Sequence, residues 1–389
     1  MTGGLTHLMI VIHSLRGGGA ERVAADLAGY WLGRGWRVTV VTQTSDAEDA
    51  YALPAGVRRH ALGLDAHGGG GLRAVWGNCR RLWALRRLIR RERPDIVLGM
   101  MTKASVLSVL AARRLPCRVI ATEHTHPPIQ SLPPVWQRLR RWAYPRAAAV
   151  VALTQGTARW LDENLPGVRT RVIPNSVRWP LEDGEPAVEP PARLHRCRVL
   201  AAGRLHPVKG FDILLAAFAR IAPLFPDWDL VILGEGAQRE ALQHAVDEAG
   251  LGARVSMPGR VGNMMQWYES ADLYVLSSRA EGLSNTLIEA MACGLPCVAF
   301  DCDTGPREII RDGIDGVLVR PAGDPEALAA WMSELMARPE EGRRYASRAV
   351  DVRDRFGVPR VMAMWDLVFQ ARRTGAANGV DGARRPGHL

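Results

Sequence analysis

Short apolar runs of strand character alternate with helix-patterned segments along this 389-residue chain, and the alternation runs its course twice. In the first half, strand-like runs fall at 7–13, 37–42, 95–100, 118–122, 148–153 and 172–173, with helical patterns at 20–32, 72–93, 103–114, 134–143 and 155–164. A stretch rich in proline and acidic residues follows at 178–194, and the pattern restarts. Strands are predicted at 198–202, 229–234, 255–257, 272–276, 296–300 and 316–319, with helices at 210–225, 238–248 and between the later strands. A helix between two strands carries the chain back for parallel pairing. Two such successions predict an α/β fold of two doubly wound, Rossmann-like domains facing across a cleft. The expected boundaries are 1–178, a linker at 179–194, and 195–354, with the amphipathic segment 355–371 rejoining the first domain and 372–389 a disordered tail. Ligands of such sheets bind beyond the carboxyl ends of the strands, which puts the crevice between the domains.

Composition narrows the class. With 47% hydrophobic and 23% charged residues, the chain has the make-up of a soluble globular protein. No run approaches the roughly 18 apolar residues of a membrane span, and the N-terminus lacks the basic and apolar regions of a signal peptide. The six cysteines, at 79, 117, 197, 293, 297 and 302, form no CxxC pair and suit buried reduced thiols rather than a zinc site. A cytoplasmic location is the expectation. The net charge of +10, rich in arginine, favours an anionic partner: a membrane surface, a phosphorylated substrate or nucleic acid.

Three segments could carry chemistry. In the run Glu281 to Ala290, seven residues separate Glu281 from Glu289. Ser284 and Asn285 are good N-cap types, so the helix starts there, leaving Glu281 on a loop and Glu289 inside the first turns. Loop and helix carboxylates around unpaired backbone N–H groups suit a phosphorylated sugar, although a helix cap with a surface glutamate has the same pattern. The turn containing Gly17, Gly18 and Gly19 opens a helix after the first strand, where glycine permits close approach of an anion. It lacks the spacing of a dinucleotide or P-loop fingerprint, and a purely structural turn fits equally. Arg204 and Lys209 occupy the equivalent place in the second domain; two cations beside a helix start can neutralise a diphosphate, or simply be solvated.

Taken in order, Gly203–Leu205 with Lys209–Phe211, Leu233–Gly236, Pro258–Val261, Ala271–Asp272, Glu281–Ala290, Gly294–Pro296 and Gly313–Gly316 resemble the nucleotide-binding half of the retaining GT-B glycosyltransferases that carry an E-x7-E motif, family 4, group 1. Gly17 to Arg22 resembles the first-domain loop of members that build bacterial surface glycans. The resemblance covers most of the chain. It implies that Arg204 and Lys209 bind the donor diphosphate, Glu281 the donor-sugar hydroxyls and Glu289 the ribose. Leu283, Ser284, Asn285 and Thr286 contact sugar and phosphate, Arg260 and Val261 lie beside the base, and Gly17–Gly19 close from the other domain. His124 resembles the family's active-site histidine, with Glu123 as its orienter; a strand-end histidine beside a turn cap is the plainer reading. No cofactor and no metal are implied. Asp301–Cys302–Asp303 matches the DxD metal motif of a different glycosyltransferase fold only superficially, and a strand-end turn suits it better.

The segment 72–93 holds eight arginines and one acid, with Arg73, Arg80, Arg87 and Arg91 on one helical stripe and Val75, Trp76, Cys79, Leu82 and Trp83 assigned to a different face. The segment 136–146 again mixes Arg with Trp. Such helices suit an anionic bilayer surface or a lipid pyrophosphate, or lie solvated on the sheet; no nucleic-acid motif accompanies them. The resulting expectation is a peripheral enzyme on the inner face of the cell membrane. It moves a hexose or N-acetylhexosamine from a UDP-sugar (UDP-GalNAc or UDP-GlcNAc) with retention to a polyprenyl-diphosphate-linked or lipid-A-linked glycan. Its motifs resemble, among relatives, N-acetylgalactosaminyltransferases of bacterial protein N-glycosylation. The alternatives are a nucleotide-sugar epimerase of the same architecture and a non-catalytic anion-binding scaffold.

Overall fold

A computed structural model describes residues 5–16, 18–45, 49, 52–64, 72–191 and 197–371, without the side chains of 72–75. Gly17 and the tail expected at 372–389 lie outside the described residues. The first domain is a seven-stranded sheet: β1 His7–Ile12, β2 Arg37–Thr42, β3 Arg58–Ala61, β4 Ile96–Gly99, β5 Arg118–Glu123, β6 Ala149–Ala152 and β7 Thr170–Val172. The second is six-stranded: β8 Cys197–Ala202, β9 Trp228–Leu233, β10 Val255–Gly259, β11 Leu273–Leu276, β12 Cys297–Phe300 and β13 Val317–Val319. All pairings are parallel, in the orders β3-β2-β1-β4-β5-β6-β7 and β10-β9-β8-β11-β12-β13. Each order reverses beside its first strand, between β1 and β4 and between β8 and β11, the places where such sheets open a ligand crevice.

The helices of the first domain are α1 Gly19–Gly33, α2 Leu72–Glu92, α3 Thr102–Ala111, α4 Pro134–Ala143 and α5 Gln155–Asn164. Those that follow are α6 Phe211–Ile221, α7 Arg239–Glu248, α8 Met264–Glu269, α9 Asn285–Ala292, α10 Pro306–Ile309, α11 Pro325–Ala337, α12 Pro339–Ala349, α13 Val352–Arg355 and α14 Val358–Gln370. Strands covered on both faces must be apolar on both, and β1 divides accordingly. Leu8, Ile10 and Ile12 pack with α1 and α14, while Met9 and Val11 pack with α2 to α5. In β8, Val199 and Ala201 face α6, α7 and α11, and Leu200 and Ala202 face α8 and α9.

The chain crosses between the domains twice. It leaves the first after β7 and returns through α13 into α14, where Val177 bridges to Gly357. Trp365 and Phe369 are buried beside Trp31 and Trp36, and Arg118 at the start of β5 donates to the carbonyls of Phe369 (2.6 Å) and Val368 (2.9 Å). Strand β3 escapes the sequence reading because its residues, Arg-Arg-His-Ala, show no apolar alternation; it is a short sheet edge, half exposed. The tryptophans of α2 also depart from expectation. Trp76 (68% exposed) and Trp83 (64%) share the solvent face with Arg80 and Arg87, and the sheet takes Leu85, Leu88 and Ile89 instead. Among the described residues no helix is long and apolar enough to cross a membrane.

Emptying a buried aromatic site costs about 3–5 kcal/mol. Phe369→Ala is therefore expected to destabilise the first domain by that order in urea denaturation. An unchanged midpoint would show that α14 is not part of that core.

Candidate active site in the cleft between the domains

After β8 the chain turns through Gly210, whose φ of 63° is left-handed and whose Cβ, if present, would stand 2.1 Å from the Ser277 carbonyl oxygen. Only glycine lets this loop lie against the end of β11. The approach delivers Lys209, whose Nζ donates to Glu281 Oε1 at 2.6 Å; Ser278 Oγ donates to the same oxygen at 2.7 Å. Glu281 is only 8% exposed, and these two donors are the partners that compensate its carboxylate. Its main-chain carbonyl accepts from Thr304 Oγ1 (2.6 Å), which fixes the loop after β12 to it. Arg204 is exposed on the β8 loop and makes no ion pair among the described residues.

Helix α9 starts at Asn285, capped by Ser284, whose Oγ accepts from the Leu287 amide. Glu281 thus lies on the loop and Glu289 inside the helix. Glu289 is buried, accepts from Tyr268 Oη (3.1 Å), and is ion-paired with Arg22 of α1, in the other domain. Burial pushes the phenols of Tyr268 and Tyr274 upward, so both stay donors; Tyr274 Oη donates to Thr286 Oγ1 (2.8 Å). Leu283 and Val261 are buried, while Arg260 is exposed and reaches the Glu185 carbonyl at 3.4 Å.

The domains meet along the loop that carries Glu281. A Cβ on Gly282 would stand 2.2 Å from the carbonyl oxygen of His124, so main chain meets main chain there. Asn175 Nδ2 donates to Asn285 Oδ1 (2.8 Å), and Gly19 lies against the same Asn285 side chain. Glu308 of α10 accepts from the amides of Gln155 (2.7 Å) and Gly156 (3.0 Å), capping α5 from across the cleft. Asp26 of α1 pairs with Arg178 (3.2 Å).

His124 contributes its backbone to this seam. Its ring lines a small cavity with Asp26, Thr122, Asn175 and Trp365, and its Nε2 is buried without a hydrogen-bond partner. Burial lowers the ring's pKa to about 4, so it is neutral near pH 7. Glu123 does not orient it. Adjacent strand residues point to opposite faces, and Glu123 accepts from Thr102 Oγ1 (2.6 Å) and Tyr144 Oη (2.8 Å), beside the buried Arg140. Burial raises this carboxyl despite the donors. Asp301 is also structural, engaged by Arg307 (2.8 Å) and Arg320 (2.6 Å).

The structure thus gathers Gly18, Gly19, Lys209, Glu281, Ser284, Asn285, Thr286 and Glu289 along one seam, with Arg204 on the adjoining loop. Arg22, Asn175, Ser278 and Glu308 belong there too and escaped the sequence reading as site residues. For Arg22 a signal existed: a cation one position after the acid that follows the glycine turn. The others are recognisable only once the domains face each other.

Two parallel-sheet domains opposed in this way define the GT-B architecture. A family described as Glycosyltransferase Family 4 matches residues 17–178, and one described as Glycosyl transferases group 1 matches 196–338. The chain belongs to these glycosyltransferases. An exopolysaccharide phosphotransferase of Streptomyces coelicolor is 33% identical over 73% of this chain, which spans only 29% of that longer protein. The amylovoran biosynthesis glycosyltransferase AmsD of Erwinia amylovora is 27% identical over 93% of this chain and 99% of its own. A Campylobacter jejuni α-1,4-N-acetylgalactosaminyltransferase acting on an undecaprenyl-diphosphate-linked GalNAc glycan is 26% identical over 87% and 90%. In fold, HepE of Anabaena, solved with UDP and glucose, superposes with a TM-score of 0.75 at 20% identity over 94% of this chain and 99% of that one.

The depressed His124 pKa has a signed consequence. Between about 4 and the ordinary 6.5 of an unfolded histidine, the unfolded chain holds a proton that the folded chain lacks. Stability contributed by the neutral ring is therefore present above that window and lost as pH falls through it. The urea midpoint of the wild type should drop more steeply from pH 6.5 to 4 than that of His124→Gln; parallel slopes would contradict the assignment.

Proposed function

We propose that the cleft transfers a hexose or N-acetylhexosamine, with retention, from a UDP-sugar to a glycan carried on a lipid diphosphate or lipid A, in the assembly of a bacterial surface or protein-linked glycan. The observation that carries this reading is the pairing of Lys209 with Glu281 beside the capped start of α9, opposite the glycine turn of α1. The AmsD and Campylobacter similarities favour a surface-glycan or lipid-linked acceptor and, among sugars, GalNAc. The HepE complex favours UDP.

In this mechanism Lys209 and Arg204 hold the donor diphosphate, assisted by the amides that open α9. Glu281 accepts from the donor-sugar hydroxyls and Glu289 from the ribose, each exchanging a present partner for substrate. Gly17 to Gly19 close over the sugar phosphate, and Arg260 and Val261 border the base. The bond from the anomeric carbon to the phosphate oxygen breaks, and its electron pair leaves with the diphosphate. The acceptor oxygen bonds to the same face, and its proton passes to the departing phosphate oxygen. The cations already placed stabilise the growing charge without reorganisation, so the step requires no metal. To act beside the donor sugar, the His124 ring must turn out of the cavity it lines here; being neutral, it carries no net charge to compete for the phosphate.

Nucleotide release from a panel of UDP-sugars, with and without a lipid-linked acceptor, tests the reading. Release that requires acceptor supports transfer. Interconversion of the sugar without acceptor would identify an epimerase, and failure of every nucleotide sugar to bind would leave only a scaffold. Lys209→Ala should lower kcat about 100- to 1,000-fold, as loss of one preorganised charge at the leaving group does. Glu289→Gln should mainly raise the donor KM.

The exposed Trp76, Arg80, Trp83 and Arg87 stripe of α2 gives this enzyme a face for an anionic membrane. Vesicles containing phosphatidylglycerol should sediment the protein at low salt and release it at high salt. Equal binding by Trp83→Ala/Arg87→Gln would remove α2 from that role.

A further inference from the structure

A second basic feature lies at the opposite end of the first sheet. Arg113, Arg114, Arg118, Arg146 and Arg169 line a pocket of about 340 Å³ together with Trp142. Arg118 begins β5, whose other end leads directly into His124 at the seam. A six-residue strand rises about 3.3 Å per residue, so this pocket is separate from Lys209 and Glu281.

Four of these arginines have little else to do. Among the described residues no carboxylate lines the pocket, and none pairs with Arg113, Arg114, Arg146 or Arg169. The carbonyls ending α3 are taken by a different side chain: Arg86 of α2 donates to Ala111 O (2.7 Å) and Arg113 O (2.9 Å). Arg114 holds a left-handed φ of 61°, uncommon for a residue with a Cβ, in the turn that brings it to the pocket. Arg113 and Arg146 are within 5.9 and 4.4 Å of the Trp142 ring centroid, so the indole carries two guanidiniums. Arg146 also donates to Trp142 O (2.6 Å), Arg169 to Ala147 O (3.4 Å) and Arg118 to the carbonyls of α14. The neutral acceptors of Arg146 and Arg169 orient those guanidiniums without compensating their charge, and Arg118 serves as a structural wall of the pocket.

We propose that this pocket binds a phosphate or diphosphate group. Guanidinium forks match phosphate oxygens in bidentate fashion, and the volume falls at the small end of ligand sites. With Trp142 already covered by guanidiniums, base stacking of the kind single-stranded nucleic acid requires is disfavoured. The group belongs either to the headgroup of an anionic lipid or to a free phosphate compound. Nothing in the proposal depends on the chemistry assigned to the cleft.

The test is calorimetric titration of the full chain with inorganic pyrophosphate at constant ionic strength. Binding should survive Arg204→Ala/Lys209→Ala and weaken about tenfold or more in Arg113→Gln/Arg146→Gln, the loss expected for two charge-assisted hydrogen bonds. An exposed pair on α4, Arg138→Gln/Arg141→Gln, should leave it unchanged, and circular dichroism and urea midpoints should show every variant folded. Loss of all binding in the cleft variant assigns the site to the cleft and overturns the pocket, whereas loss of one of two binding events is what the cleft's own diphosphate site predicts. Equal loss in the α4 variant, or none in Arg113→Gln/Arg146→Gln, reduces it to a diffuse basic surface and overturns it as well. Phosphatidylglycerol vesicles then separate the sources: competition with pyrophosphate that disappears in Arg113→Gln/Arg146→Gln supports a lipid headgroup, and vesicle binding indifferent to pyrophosphate supports a soluble phosphate.

Discussion

The approach of Gly282 to the carbonyl of His124 governs the rest of the site. A Cβ there would clash with that carbonyl, and the shift needed to relieve it would stretch the hydrogen bonds that span the seam. The ion pair of Arg22 with Glu289, the amide contact of Asn175 with Asn285 and the capping of α5 by Glu308 all span this seam. Parallel sheets aim their carboxyl ends at the crevice, but a gap one atom wider would leave two half-sites. Backbone contact is what turns two similar domains into one chemical surface.

Charge in the seam is handled by pairing across short distances. Glu281 and Glu289 are both buried, and each carboxylate is compensated, the first by Lys209 and the Ser278 hydroxyl of its own domain, the second by Tyr268 of its own domain and Arg22 of the other. Buried ions left unpaired are strongly destabilising. A ligand for these carboxylates must therefore supply donors as good as those it displaces. A polyhydroxylated molecule can meet that demand with its hydroxyl donors, whereas an apolar one cannot. The division also makes Glu289 sensitive to the relative placement of the domains and Glu281 largely indifferent to it.

Much of this was legible in the sequence. Strands β1, β5 and β8 announce themselves as apolar runs, and Ser284 marks the start of α9 through its capping chemistry. Strand β3 was not legible, because an edge can be made of Arg and His so long as its backbone pairs with β2. The α2 tryptophans misled for the converse reason. Hydrophobicity suggests burial, yet Trp76 and Trp83 lie with arginines on the outer face. Glu123 was read with its neighbour His124, although consecutive strand residues face opposite ways, and its partners Thr102, Tyr144 and Arg140 come from three separate segments. Asn175 and Glu308 had no local signal, since their role exists only between domains.

The return of α14 to the first domain carries a consequence for biogenesis. The first sheet is made before the second domain, but the aromatic cluster around Trp31 lacks Trp365 and Phe369 until α14 has followed that domain. Until then, the part of that flank not covered by α1 presents apolar surface. The second domain, whose elements are contiguous in sequence, can close its own core while the older domain waits. The first sheet is therefore completed only after the second domain has been made, and the α14 groove stays uncovered while that domain is synthesised.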